Sequence, residues 1–265
     1  MTNNIAFPFV PLDPRRSMTK PRKTGLTMVS DYQLGLTGLE DLLRVGGDYI
    51  DIFKFATGTS RLLPRNILMD KLAMLTDAGI RPFLGGQFQE YVLHNLGLEA
   101  FDQHLEEAKA VGFDMVEISD NVVDVDEDTK LLLLNKVKEY GLSPVGEIGD
   151  KTAHTSDAEM VAEIQQVLDS GAELAMVEGQ ELMLNGEPNV SLIELIKAQL
   201  DTSRVMFELA TPRVGSTHAE IYKGKKFLIK TFGPDVNLGN VTPETVVETE
   251  TTRLGLGSAG PLNLM

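Results

Sequence analysis

Short runs of β-branched, aromatic and other apolar residues recur along the chain, each followed by a stretch in which apolar residues return every three or four positions. The first kind of run predicts strands at GLTMVSD (25–31), DIFKFA (51–56), RPFLGG (81–86), FDMVEISD (113–120), SPVGEIG (143–149), AELAMVEG (172–179), RVMFELA (204–210) and DVNLGNV (235–241). The second kind predicts helices. Leu68, Leu72 and Leu75 share a helical face ahead of Gly79, which suits a C-terminal cap. Ser156-Asp157 and Thr242-Pro243-Glu244 read as helix starts. The acidic run DVDEDT reads as the start of the helix carrying core leucines 131 to 134.

Eight strand-then-helix units without a linker-like break predict an α/β chain folded as a single (β/α)8 TIM barrel over residues 25–258. An open doubly wound sheet is the rival, weakened because SDYQLGL stands where a G-x-G-x-x-G turn belongs. Residues 259–265 are left as a tail. Residues 1–24, rich in proline and basic groups, form an N-terminal extension expected to pack on a neighbouring subunit or to stay mobile.

A barrel carries its chemistry at the C-terminal ends of its strands. Those ends hold Asp31, Lys54, Gly85-Gly86-Gln87, Glu117 with Ser119 and Asp120, Glu147, Glu178, Glu208, and Asn237 with Asn240. Neighbouring strands lie about 4.8 Å apart, so glutamates on four consecutive strands converge and repel unless cations or protons intervene. Mg²⁺ or Mn²⁺ on Glu117, Glu147, Glu178 and Glu208 is the expected counter-charge, because hard oxygen ligands without cysteine disfavour zinc. Lys54, an ammonium at the end of an apolar strand, then faces carboxylates. It is expected to stabilise an enolate or to protonate carbon, with a pKa lowered toward neutrality.

Weaker signals accompany this set. Gly58-Thr59-Ser60 is either an anion-binding nest or a plain turn. Arg213, Lys223, Lys225 and Lys226 follow the seventh strand, where barrels often bind phosphate, although the lysines read equally as solvated helix charges. His94, His104 and His218 fall in helical stretches as packing or surface residues, which leaves His154, with Asp120, for proton transfer.

Composition narrows the function classes. Among 265 residues, 39 Asp and Glu outweigh 24 Lys and Arg, and a net charge of −15 disfavours nucleic acid and anionic membranes as partners. The lack of cysteine excludes thiolate chemistry and fits the cytoplasm, as does the lack of a secretory or membrane-spanning run. A homo-oligomer is expected from the prevalence of symmetric assemblies.

The segments KPRKTGLTMVSD, GGDYIDIFKFATGTS, GGQFQEY, GFDMVEISDN, GEIGDK, VEGQE, MFELATP and DVNLGN, in this order, resemble the phosphosulfolactate synthase family from about Lys20 to Leu256. The resemblance implies a (β/α)8 enzyme that adds sulfite to phosphoenolpyruvate in a Mg²⁺-dependent step. A plant heat-tolerance branch shares the barrel. Matching site positions are Asp31, Lys54, Gly58, Thr59, Ser60, Gly85, Gly86, Glu90, Glu117, Ser119, Asp120, Glu147, Lys151, Glu178, Glu181, Glu208, Asn237 and Asn240. Lys151 enters the catalytic set on this ground alone.

Departures from the pattern fall around the same strand ends. Tyr32, Asp150 and Gln180 stand where the family usually has cations, Ala56-Thr57 replaces Gly-Trp, and Gln87 lies in an altered GGQFQE. Each lost charge-assisted hydrogen bond to an anionic substrate costs on the order of 1.5–3 kcal/mol, so the family's substrate pair is expected to bind less well, with Arg213 as partial compensation. The expected function is a lyase that adds sulfite or a related small nucleophile to phosphoenolpyruvate or another unsaturated carboxylate. Asp31, Thr59, Ser60, Gln87, Ser119, Gln180, Arg213, Asn237 and Asn240 would bind the substrate. The alternatives are a metal-dependent lyase or isomerase for a less anionic carboxylate and a non-catalytic stress-protective homologue.

Overall fold

The computed structural model describes residues 6–149, 156–184 and 186–256. Its strands are β1 Thr27–Asp31, β2 Ile52–Phe55, β3 Arg81–Leu84, β4 Met115–Ile118, β5 Ser143–Ile148, β6 Leu174–Val177, β7 Met183–Leu184, β8 Glu187–Pro188, β9 Val205–Glu208 and β10 Leu238–Val241. All but β7 and β8 close into one parallel barrel in the order β1-β10-β9-β6-β5-β4-β3-β2, as the alternation predicts. The strands β7 and β8 form a small antiparallel hairpin after β6 that the sequence pattern missed, being only two residues each.

The helices are α1 Leu36–Gly46, α2 Thr59–Leu62, α3 Arg65–Asp77, α4 Gly86–Leu96, α5 Glu99–Val111, α6 Glu127–Glu139, α7 Asp157–Asp169, α8 Val190–Gln199, α9 His218–Phe232 and α10 Val246–Arg253. Two predicted starts are built as read, Ser156 and Glu159 forming a reciprocal cap on α7 and Asp126 capping α6 through Thr129 N–H, whereas Thr242-Pro243-Glu244 opens the 3-10 turn Pro243–Thr245 ahead of α10. In the leucine run, Leu133 and Leu134 are buried while Leu132 is exposed, as a helical face requires. None of the described helices is long and apolar enough to cross a membrane.

Alternation divides each strand between two cores. Outward residues such as Val29, Phe53, Val116 and Phe207 pack under the helices. Inward residues Leu26, Met28, Ile52, Phe83, Met115, Val145, Leu174, Met176 and Met206 fill the barrel. Two residues farther along, the inward positions of β2, β4, β5 and β9 become Lys54, Glu117, Glu147 and Glu208. The charged set therefore rests on a floor of buried apolar side chains.

The N-terminal extension is fastened to its own barrel at the opposite end from these charges. Arg16 is buried, bonding Glu250 of α10 at 2.8 and 3.1 Å and the Gly25 carbonyl at 2.8 Å. Arg22 pairs with Asp51 at 2.8 Å, and Asp51 in turn accepts from Thr27 N–H. This part of the arm packs on the barrel floor of its own chain, because the buried carboxylates of Asp51 and Glu250 supply its partners. Phe7 and Phe9 lie exposed beyond it.

Candidate active site

The barrel mouth is an open cleft of about 120 Å³ lined by Tyr32, Lys54, Ala56, Thr57, Gly86, Gln87, Glu117, Glu147, Glu178, Glu208, Thr211, Arg213 and Asn240. At its base Lys54 Nζ donates to Glu117 Oε1 at 2.7 Å and Glu208 Oε1 at 3.1 Å, all three buried. One oxygen from each of Glu117, Glu147 and Glu208 lies within 4.8 Å of the others. Glu178 lines the cleft but stands outside that group of three.

Backbone design holds Glu117 in place. Its Oε2 accepts from Gly86 N–H at the N-terminus of α4, where the helix dipole favours a negative charge. A Cβ at residue 86 would collide with Ser119 Oγ and lie 2.9 Å from Glu117 Cγ, so only glycine lets this amide reach the carboxylate.

The electrostatics follow from crowding and burial at the base of the cleft. Burial disfavours the Lys54 ammonium, but Glu117, Glu208 and Glu147 outweigh it and hold the lysine charged, well above its ordinary range. Burial pushes Glu117 up to about 8, with Lys54 opposing and Glu147 and Glu208 adding to the rise. The expected lysine of lowered pKa is therefore replaced by a stable ammonium, a proton donor and not a base. The oxygens of Glu117, Glu147 and Glu208 crowd together beside the Lys54 ammonium, an arrangement that a proton or a divalent cation would relieve. Closely spaced oxygens without histidine or cysteine suit a hard cation.

Several residues expected at the site are engaged elsewhere. Asn237 lies at the barrel floor, where Nδ2 donates to Ser203 O and Val205 O at 2.9 and 3.0 Å and Oδ1 accepts from Leu26 N–H at 3.0 Å. It precedes β10, whereas Asn240, near that strand's end, reaches the cleft and accepts from Ser30 Oγ at 2.8 Å. Asp31 is buried against Lys71 of α3 at 2.7 Å and accepts Gln33 and Leu34 N–H, so it shapes the β1 loop. Ser119 Oγ donates to Glu90, whose other oxygen takes Val122 and Val123 N–H; this pair ties down the loop after β4. Asp120 pairs with Lys130 at 2.9 Å on α6, outside the cleft lining.

Thr59 and Ser60 open α2, a four-residue turn in which Thr59 Oγ1 is spent on Ala56 O at 2.8 Å. Neither they nor Gln180 line the cleft, while Gln87 does. Lys225 pairs with Glu248, and Lys223 with Glu187. Lys151, His154 and Asp150 lie outside the described residues. Sequence reasoning missed the Gly86 amide, Thr211 and the backbone of Thr57, which lines the cleft at φ +54°. A β-branched residue in that left-handed region stores about 1–3 kcal/mol of strain, and hydrophobic patterning carries no mark of it.

The barrel resembles solved structures at the level of fold: 3-hexulose-6-phosphate synthase aligns with a TM-score of 0.53 at 14% identity, covering 86% of this chain and 99% of that one. Among curated proteins, the phosphosulfolactate synthase of Methanothermobacter thermautotrophicus is 30% identical over 98% of this chain and 99% of its own length. Protein HEAT-STRESS-ASSOCIATED 32 of Arabidopsis thaliana is 24% identical over 83% of this chain and 82% of its own. The family model for (2R)-phospho-3-sulfolactate synthase matches residues 15–259, nearly the whole barrel, and the chain belongs to that family.

Proposed function

We propose that this chain is a phosphosulfolactate synthase-type lyase that joins sulfite to phosphoenolpyruvate with the help of a divalent cation. The observation that carries this reading is the buried set of Lys54, Glu117, Glu147 and Glu208 at the base of an open cleft. In the reaction the sulfur attacks the methylene carbon, a C–S bond forms, and the electron pair of the double bond moves onto the adjacent carbon and its carboxylate. That carbon then takes a proton. The phosphate ester stays intact.

Lys54 is the group suited to this work, since a charged ammonium stabilises the developing negative charge and holds a transferable proton at Nζ. Glu117 and Glu208 orient that ammonium through their 2.7 and 3.1 Å contacts. Glu117, Glu147 and Glu208 would hold Mg²⁺ or Mn²⁺, which supplies Lewis acidity to the substrate carboxylate. Asn240, fixed by Ser30, and Gln87 present polar groups at the rim.

Tyr32 favours a second reading, a less anionic unsaturated carboxylate, because an aromatic ring lines the mouth where the family pattern carries a lysine. ³¹P NMR of the protein with phosphoenolpyruvate, sulfite and Mg²⁺ separates the two. A new phosphomonoester that needs both sulfite and metal supports the synthase reading. Its absence with a folded protein moves the assignment to uncharged or singly charged acceptors.

A further inference from the structure

The mouth holds a second cation that the reaction centre leaves unused. Among the described residues lining the cleft, the cations are Lys54 and Arg213. Lys54 is engaged by Glu117 and Glu208, whereas no carboxylate among the described residues is ion-paired with Arg213. Its guanidinium carbon instead lies 3.4 Å from the centre of the Tyr32 ring.

Both partners are positioned by the ends of strands. Tyr32 is half-buried directly after β1, and Arg213 sits in the 3-10 turn Pro212–Val214 beyond β9. The Pro212 ring fixes the first φ of that turn, and Gly215 N–H closes it onto Pro212 O at 3.1 Å. A guanidinium resting on a ring is limited in its rotamers, while the N–H groups at its edge remain available to an oxyanion.

Charge points to the oxyanion. The carboxylates of Glu117, Glu147, Glu178 and Glu208 line the cleft, so a dianionic phosphate is favoured beside Arg213 over a place among them. We propose that Arg213, held on Tyr32, is the specificity-determining residue that receives the phosphate ester of the substrate, while the carboxylate end reaches Lys54 and the three glutamates. The assignment rests on the function proposed above. Tyr32 acts through Arg213 and is a positioning residue.

Calorimetric titration of the full chain in Mg²⁺ tests this with two probes: phosphoenolpyruvate, and oxalate, which offers carboxylates without a phosphate. Loss of one charge-assisted fork predicts that Arg213→Ala binds phosphoenolpyruvate roughly 10- to 100-fold more weakly, with oxalate binding unchanged. Tyr32→Phe is expected to bind like wild type, whereas Tyr32→Leu loses phosphoenolpyruvate affinity several-fold and keeps oxalate. Equal phosphoenolpyruvate affinity in Arg213→Ala and wild type overturns the assignment, as does an equal loss of both probes. A wild-type protein that binds oxalate but no phosphoenolpyruvate overturns the proposed function, and the assignment with it.

Discussion

Lys54 Nζ lies 2.7 Å from Glu117 Oε1, joining β2 to β4 across the inside of the barrel, and the same ammonium reaches Glu208 of β9 at 3.1 Å. A single cation thus gathers carboxylates from strands far apart in the chain. Lys54→Met leaves those carboxylates buried without it. Turnover is expected to fall at least about 100-fold, the ordinary scale for a proton-transfer or charge-stabilising group. Thermal stability without metal is expected to fall too, by about 3 kcal/mol, and Mg²⁺ is expected to restore more of it than in wild type. A folded variant with full turnover removes Lys54 from the mechanism.

The floor of the barrel is predicted to matter for stability and not for chemistry. Arg16→Ala removes the two guanidinium bonds to buried Glu250, at the end remote from the cleft, and leaves it with Arg253 at 3.9 Å. Breaking one side of a buried ion pair costs about 3–5 kcal/mol. Urea unfolding is expected to show that loss while kcat and KM of the remaining folded protein stay at wild-type values.

Asn237→Ala belongs to the same class. It removes bonds to Ser203, Val205 and Leu26, and each lost buried partner costs about 1–3 kcal/mol. The expected result is a lower unfolding midpoint with unchanged KM. A selective rise in KM would return Asn237 to substrate binding.

His104 sets a pH dependence of stability. It lies against Phe88 and Phe101, and burial pulls it down to about 4 from an ordinary 6.5. Between these values the unfolded chain binds a proton that the folded chain refuses, so this stabilisation is complete above pH 6.5 and is lost as pH falls toward 4. The loss amounts to about 3 kcal/mol. Unfolding at pH 7 and at pH 4.5 is expected to differ less in His104→Phe than in wild type, whose other titrating groups the variant shares.

The barrel was legible because its strands and helices follow two local periods, 2 and about 3.6, that need no knowledge of distant partners. The same alternation placed Lys54, Glu117, Glu147 and Glu208 on inward positions near the strand ends. What the pattern could not supply was the partner of each polar residue. Asp31 finds Lys71 on α3, Ser119 finds Glu90 on α4 and Asp120 finds Lys130 on α6, and those contacts engage residues expected for substrate binding or proton transfer in holding loops. Lys71 carried a signal, being a lysine set beside Leu68, Leu72 and Leu75 on a buried helix face. Asn237 and Asn240 sit three residues apart but at opposite ends of β10, a distinction finer than sequence boundaries resolve.

The most direct test of the mouth as a metal-holding reaction centre is electron paramagnetic resonance of Mn²⁺ titrated into wild type and into Glu147→Gln, a change far from the floor contacts that stabilise the barrel. The arrangement of Glu117, Glu147 and Glu208 predicts one tight Mn²⁺ per chain in wild type, displaced by Mg²⁺, and binding weakened at least about 10-fold in the variant. Equal Mn²⁺ binding by the two folded proteins would contradict it.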